Sequence, residues 1–323
     1  MDDVDRNLLL LLYENPRMHN KELEKKLGMS RQTIHHRMLA LAKSGVFRIM
    51  RPGVSIHYID GVAAAVWGRS RTSSIEETLD RLGENEFVGR VVVAGGNYLY
   101  ILGCLRNASE LDGYVEFAKR TAEISEPTIG LAVFSDGILS HVSGEERRQS
   151  YKRLSPLDLR IIISLRGNVR KPTAEIAEML GVSAKTVGRH LNDMISGGSL
   201  DYDIPWDIPS GEDMLTVVHV HLKEDADKVR VARRLLSKDP IHLTYFRSFS
   251  NLPGFLLGII SSNRMSEIRK ILAEIREDDD VAAITPNLVY HERLYDNWTE
   301  ELPDIWLRNS MGHERLHQRS LTR

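Results

Sequence analysis

The fold is decided by residues 27–45, which read LGMSRQTIHHRMLALAKSG. Gly28 predicts the end of one helix, because glycine readily adopts the left-handed backbone of a helix C-terminus. Ser30 is a favoured N-cap for a following helix, and Ile34 and Met38 recur at helical spacing. Two helices joined by so short a turn predict a helix-turn-helix, whose second helix projects outward and can enter a DNA major groove.

The outward face of the predicted helix 31–44 carries side chains that can read DNA. Arginine and glutamine can contact a purine edge through two hydrogen bonds, and histidine can donate to bases or phosphates. A single polar helix face is more often simply solvated. Here a predicted strand begins at Val46 and a basic segment follows, which together predict a winged helix-turn-helix. The predicted DNA contacts of this module are Arg31, Gln32, Thr33, His35, His36, Arg37, Arg48 and Arg51.

The same pattern occurs twice in the chain. When the sequence is shifted by 153 positions, residues 5–47 align with residues 158–200 without a gap, so that Gly28 meets Gly181. Further along, the shift grows to 157 positions and the match resumes. Glycines, caps and apolar positions that coincide in this way predict a tandem duplication.

Strand-like and helix-like stretches follow each helix-turn-helix in the order β-α-β-β-α-β, beginning at Val62 and again at Leu215. This order predicts a ferredoxin-like sheet with both helices on one face and a free face that invites a second sheet. The predicted fold class is α+β, a tandem repeat of a winged helix-turn-helix plus a ferredoxin-like βαββαβ domain. The predicted segments are 1–58 (first winged helix-turn-helix), 59–142 (first βαββαβ domain), 143–204 (linker and second winged helix-turn-helix), 205–293 (second βαββαβ domain) and 294–323 (C-terminal tail).

The two modules differ in charge, although the net charge of the chain is only −2. Residues 17–51 hold nine lysines and arginines against two glutamates, whereas residues 170–204 hold four against five acidic residues. Neutralisation of phosphates supplies much of the affinity for DNA, so the first module is expected to dominate binding. The second module offers Lys185 and Arg189 as contacts, with a helix-weakening glycine at Gly188 between them.

Three stretches carry a resemblance to a known family. They are DRNLL at 5–9, LGMS at 27–30 running into TIHHR at 33–37, and LAKSGVF at 41–47. With the β-α-β-β-α-β order, the chain resembles the Lrp/AsnC (feast/famine) transcription regulators over both repeats. The resemblance implies double-stranded DNA as the partner and sheet-to-sheet pairing of the βαββαβ domains, either within the chain or in a homo-oligomer.

The resemblance also implies a small-molecule effector near those sheets. Members of the family commonly carry a Gly-Asp-Tyr-Asp-like hairpin, whereas this chain has Gly-Gly-Asn-Tyr at 95–98. The candidate ligand-binding residues are therefore Gly96, Asn97 and Tyr98, although glycines in a hairpin also serve simply to supply positive φ angles.

An enzymatic alternative rests on the histidines. His219 and His221 alternate along a predicted strand and share a face, and with His242 they could form a metal or tetrapyrrole site. Siroheme decarboxylases resemble the Lrp/AsnC proteins and provide that alternative. The histidines lack a diagnostic ligand spacing, and no nucleophile or phosphate-loop motif is present. The prediction is therefore a regulator that is not an enzyme, without catalytic residues, metal or cofactor.

The remaining features concern compartment and the tail. An acidic N-terminus, short apolar runs and the single Cys104 favour a cytoplasmic protein without a membrane segment or disulfide. Trp298 and Trp306 are expected to dock the tail on a sheet or a partner, and the final residues are expected to be disordered.

Overall fold

The structure is a computed structural model, and it describes residues 2–43, 50–56, 58–133, 153–203 and 214–320. The predicted strand at Val46, the basic residue Arg48 and most of the predicted linker lie outside the described residues.

The first helix-turn-helix consists of α1 (Asp3–Glu14), α2 (Asn20–Leu27) and α3 (Arg31–Lys43). Gly28 ends α2 with a φ of 64°, the left-handed value for which glycine was expected. The Ser30 hydroxyl accepts a hydrogen bond from the Thr33 backbone N–H at 3.2 Å, as an N-cap does. Leu8, Leu23 and Ile34, one from each helix, are fully buried against one another.

The second helix-turn-helix repeats this arrangement with α6 (Pro156–Ser164), α7 (Thr173–Leu180) and α8 (Ala184–Ser196). Gly181 ends α7 with a φ of 67°, and the side chain of Ser183 caps α8. Behind the modules, β1 (Arg51–Val54) and β6 (Leu200–Asp203) form an antiparallel pair that joins one module to the other.

Two further segments show the β-α-β-β-α-β order. The elements of the first segment are β2 (Val62–Arg69), α4 (Ile75–Gly83), β3 (Val88–Ala94), β4 (Tyr98–Leu105), α5 (Leu111–Thr121) and β5 (Thr128–Val133). The elements of the second segment are β7 (Met214–Leu222), α9 (Lys228–Lys238), β8 (Leu243–Phe249), β9 (Leu252–Ser262), α10 (Met265–Arg276) and β10 (Val281–Leu294). Each helix packs its apolar side on the outer face of its own sheet.

The two sheets are joined edge to edge into one closed barrel, in the strand order β10-β3-β4-β2-β5-β8-β9-β7. The free faces of the two sheets pack against each other inside this barrel, as expected for sheet-to-sheet pairing within the chain, and the joining of their edges is a feature that the sequence did not indicate. The strand β10 pairs with β7 over Val281–Leu288 and then with β3 over Val289–Leu294, so one long strand serves both halves. On the other side, β5 pairs with β8. Each of the eight barrel strands therefore has a paired neighbour on both sides, and such pairing covers the sheet edges that are a liability in open sheets.

The barrel interior is filled with side chains. Trp67, Phe249 and Phe255 lie together there, with ring centroids 5.1 and 5.6 Å from that of the tryptophan. These residues are almost completely buried. The barrel is thus a packed core shared by the two halves.

The tail forms a helix, α11 (Trp298–Ser320), which corrects the expectation of a disordered end. The indole N–H of Trp298 donates to the carbonyl oxygen of Cys104 in β4 at 2.6 Å. Leu302 and Trp306 pack into the core of the second helix-turn-helix. The C-terminal helix therefore contacts both the second module and the first βαββαβ segment and connects them.

The first module is fastened to the opposite half of the barrel. The buried Arg6 of α1 donates to the carbonyl oxygen of Ser261 in β9 at 3.2 Å. The first helix-turn-helix thus contacts the βαββαβ segment of the other half directly, and the second is connected to its opposite segment through the C-terminal helix.

Candidate nucleic-acid interface

The outward face of α3 presents the side chains that the sequence predicted. Ile34, Met38 and Leu41 are buried on the inner side of the helix. The predicted contacts on the other side are exposed, namely Arg31, Gln32, Thr33, His35 and His36. An exposed helix carrying guanidinium, amide and imidazole groups can donate to bases and phosphates.

Thr33 has a second role at the start of this helix. Its hydroxyl lies 2.9 Å from the hydroxyl of Ser30, and its backbone N–H donates to the same oxygen. Thr33 therefore helps to cap α3 and so fixes the direction in which the helix begins.

Arg37 is held by carboxylates instead of facing outward freely. Its guanidinium contacts Asp2 at 2.9 Å and Asp5 at 2.6 Å, and these hydrogen bonds raise the pKa of Arg37. The pair connects α3 to α1. Because two carboxylates already neutralise this charge, the geometry suits positioning of the recognition helix better than contact with phosphate.

The corresponding helix of the second module, α8, presents fewer cations. Lys185 and Arg189 are exposed, and an added Cβ at Gly188 would lie in open space. His190 takes the place of Arg37, since its Nδ1 lies 2.6 Å from a carboxylate oxygen of Asp158 in α6. The two modules thus use the same link between first and third helix with different chemistry.

Arg51 was expected on a wing that tracks phosphate, and in the structure its guanidinium forms ion pairs within the chain. Its guanidinium contacts the carboxylate of Asp296 at 2.6 Å and that of Glu300 at 3.7 Å. Arg51 begins β1, which pairs with the second module. These ion pairs connect Arg51 to carboxylates near the start of the C-terminal helix.

Two arginines join the modules reciprocally. Arg17 donates to the carbonyl oxygens of Val169 at 2.6 Å and Lys171 at 2.9 Å. Arg170 donates to the carbonyl oxygens of Pro16 at 2.5 Å and Met18 at 3.1 Å. Each arginine thus donates hydrogen bonds to the loop that carries the other, as in an interface with twofold symmetry. The sequence aligned Arg17 with Arg170, but nothing in that alignment indicated a contact between modules.

The predicted ligand residues lie at the hairpin between β3 and β4. Gly96 and Asn97 have φ angles of 67° and 58°, and the Arg69 guanidinium donates to the Gly96 carbonyl oxygen at 3.1 Å. Tyr98 is half-buried, and its ring lies 5.7 Å from that of His219. Burial raises the pKa of Tyr98.

The three histidines of the enzymatic alternative are not brought together. His219 is buried and lies 2.8 Å from the Tyr100 hydroxyl, and burial lowers its pKa to about 4. His221 is exposed. His242 instead lies beside the carboxylates of Asp239 and Glu267, at 3.0 and 3.2 Å. Within the described ranges, no group of side chains is arranged to hold a metal ion.

Comparison with known proteins agrees with this geometry. The family model described as winged helix-turn-helix DNA-binding matches residues 1–48 and 154–198. An uncharacterized HTH-type transcriptional regulator of Pyrococcus abyssi (strain GE5 / Orsay) is 24% identical over 119 residues, which are 36% of this chain and 74% of the relative.

Two solved structures are similar to this chain. The siroheme decarboxylase NirDL is similar over 97% of this chain and 100% of its own, with a TM-score of 0.56 and 13% identity. AsnC of E. coli covers 43% of this chain and 94% of its own, with a TM-score of 0.36 and 21% identity. The likeness to the decarboxylase is one of fold.

The two matched segments coincide with the two helix-turn-helix modules, so each of these two parts of the chain matches the winged helix-turn-helix DNA-binding family. The family match and the relative named as an HTH-type transcriptional regulator support the function that the sequence predicted, a DNA-binding transcription regulator. Among the helices that the structure describes, none combines the length and apolarity needed to cross a membrane.

Proposed function

We propose that the first helix-turn-helix is the main DNA reader and that α3 enters the major groove. The observation that carries this proposal is the exposed face of α3, where Arg31, Gln32, His35 and His36 lie together. The equivalent face of α8 offers Lys185 and Arg189, with exposed Asp193 further along the helix. The first module as a whole should attract phosphate more strongly, because residues 17–51 hold nine lysines and arginines against two glutamates, whereas residues 170–204 hold four against five acidic residues.

Arg37 acts in this proposal as a positioning residue that sets the angle of α3 against α1. Arg48 remains a proposed phosphate contact. Arg51 also remains a proposed phosphate contact, although its ion pair with Asp296 competes with phosphate.

We further propose that the chain is a tandem repeat with the five segments predicted from its sequence, working in the cytoplasm. The barrel joins the two halves as a pair of βαββαβ domains from separate chains would be joined. A small effector would contact Gly96, Asn97 and Tyr98, a proposal supported by the half-burial of Tyr98 beside His219.

A tetrapyrrole enzyme is the second candidate, and the whole-chain likeness to the siroheme decarboxylase favours it. Against it, Trp67, Phe249 and Phe255 fill the interior of the barrel, so a tetrapyrrole there would have to displace a packed aromatic cluster. We therefore propose that the chain is not an enzyme. Addition of siroheme tests this, since a shifted absorption band with release of carbon dioxide would establish the enzyme instead.

The experiment that tests the regulator compares Gln32→Ala with Lys185→Ala in a titration against promoter and random DNA. Loss of a base contact typically costs about 1–3 kcal/mol and relaxes specificity. Gln32→Ala should therefore lower the preference for promoter DNA by about fivefold or more, whereas Lys185→Ala should retain it. Equal preference in both variants and the parent would refute the assignment of α3 as the reader.

A further inference from the structure

A basic groove runs between the two helix-turn-helix modules. It has a volume of about 530 Å³, and Arg17, Lys21 and Arg31 from the first module face Arg170 and Thr173 from the second. None of the described residues that line it is acidic. Such a groove attracts anions, because no carboxylate within it offsets the cations.

Two helices begin at this groove. Lys21 lies in the first turn of α2 and Thr173 is the first residue of α7. The N-cap residues His19 and Pro172 make no side-chain hydrogen bond to cap their helices. The N-terminal ends of helices carry partial positive charge, so both add to the attraction for an anion.

The reciprocal arginine contacts hold the groove in shape. Arg17 and Arg170 donate to carbonyl oxygens of the opposite module, which fixes the two walls relative to each other. Burial, and to a smaller extent the nearby charge of Arg17, lower the pKa of Arg170 to about 10. Positive charge is thus concentrated at this junction, and a bound anion would offset the repulsion between the two guanidinium groups.

The groove continues onto the DNA-reading face. Arg31 lines the groove and is also the first residue of α3, whose outward face we propose to lie in the major groove. A strand of DNA that leaves α3 would therefore pass directly over the junction of the modules.

We propose that this groove binds the phosphodiester backbone of the DNA that α3 reads, and that the second module touches DNA through Thr173 and the start of α7. The inference rests on the proposed function and deepens it. The second module then contributes to affinity at the wall of a shared groove, although α8 is poor in cations.

The first test uses two lysines of α2. Lys21 lines the groove, whereas Lys26 is exposed beside Asn7 at a separate hollow. Affinity for DNA is measured between about 50 and 200 mM salt, where each phosphate contact contributes about 0.9 to the logarithmic slope. Lys21→Ala should reduce the slope by about 1, and Lys26→Ala should leave it unchanged. Equal slopes for the two variants would overturn the proposal.

The second test places a negative charge on the wall formed by the second module. Thr173→Glu introduces a carboxylate at the start of α7, where acidic residues favour the helix, so the fold should be retained. Repulsion from phosphate should weaken DNA binding by about fivefold or more at low salt. Met179→Glu adds the same charge on an exposed position of the same helix, outside the groove lining, and should bind as the parent does.

The outcomes separate this inference from the proposed function. If Gln32→Ala lowers sequence preference while Thr173→Glu binds as tightly as Met179→Glu, the groove proposal is wrong and the reading helix stands. A small free anion is the other possible occupant, and inorganic phosphate is its probe. If phosphate raises the melting temperature of the parent but not of Thr173→Glu, and the two bind DNA equally, the groove is a small-anion site and the proposal is overturned.

Discussion

The ion pair between Arg90 and Glu292 provides a direct test of how the barrel is closed. Arg90 lies on β3 and Glu292 on β10, so the pair crosses one of the two junctions between the halves of the chain. Their nearest charged atoms are 3.0 Å apart, and the two side chains are only 7% and 2% exposed. The perturbation is to replace each residue alone, Arg90→Met and Glu292→Met, and then both together.

The magnitude follows from distance and burial. At 3.0 Å the attraction is about 5 kcal/mol for an effective dielectric constant of about 20, and the loss of hydration on burial offsets much of it. Removal of one partner leaves the other charge buried without that attraction. Each single variant should therefore lower the free energy of unfolding by about 3–5 kcal/mol. The double variant should lose far less than the sum, because it buries no unpaired charge.

Urea unfolding followed by far-ultraviolet circular dichroism measures these free energies, and the double-mutant cycle yields the coupling energy. Arg120 and Glu116 form a matched control pair on α5, at a similar distance of 3.1 Å, with side chains 75% and 51% exposed. Exposed pairs at this spacing contribute about 0.3–0.5 kcal/mol. The reasoning is refuted if the coupling across the barrel junction is no larger than that of the exposed pair.

Three further predictions concern the core and the modules. Below the ordinary histidine pKa of 6.5, the unfolded chain binds a proton that folded His219 accepts only near pH 4, so stability should fall by up to about 3 kcal/mol over this range. His219→Gln should flatten that fall in urea unfolding at acidic and neutral pH, and the exposed His221→Gln should not. Gly258→Ala should lower the free energy of unfolding by about 1–3 kcal/mol, since the added Cβ would lie 2.6 Å from a buried phenylalanine ring. Gly188→Ala on α8 should raise it by up to about 1 kcal/mol, because the added Cβ lies in open space. Thermal melting checks both, since the two melting temperatures should shift in opposite directions. Leu302→Ala should destabilise by about 2–5 kcal/mol, because this leucine is buried in the core of the second module, and a loss below about 0.5 kcal/mol would show that α11 is not part of that core.

The helix-turn-helix modules could be predicted because their sequence signals are local. Gly28 and Ser30 are recognisable from two or three neighbours, because a left-handed helix end and an N-cap are set by the residue itself. The exposed face of α3 followed from the spacing of Ile34 and Met38. The repeat then transferred the same reading to Gly181 and Ser183, where the structure has the same turn.

The features that could not be predicted from the sequence are contacts between distant segments of the chain. The joining of β5 to β8 and of β10 to β3 depends on which sheet edges meet, and the alternation of residues along a strand carries no information about its partner. The same holds for Arg51, whose carboxylate partner Asp296 lies more than two hundred positions away. The DNA-contact assignments stay predictions that the titrations above address, and the effector and domain assignments stay predictions as well.

The closed barrel has a consequence for how the protein responds to its own abundance. A regulator assembled from two separate chains must first find its partner, so at low levels its active form grows with the square of the chain concentration. Here both halves of the barrel come from one chain, and each helix-turn-helix is fastened to the opposite half. For an operator bound by one chain, occupancy should then rise with the first power of concentration, without a threshold, and dilution should not dissociate the two modules.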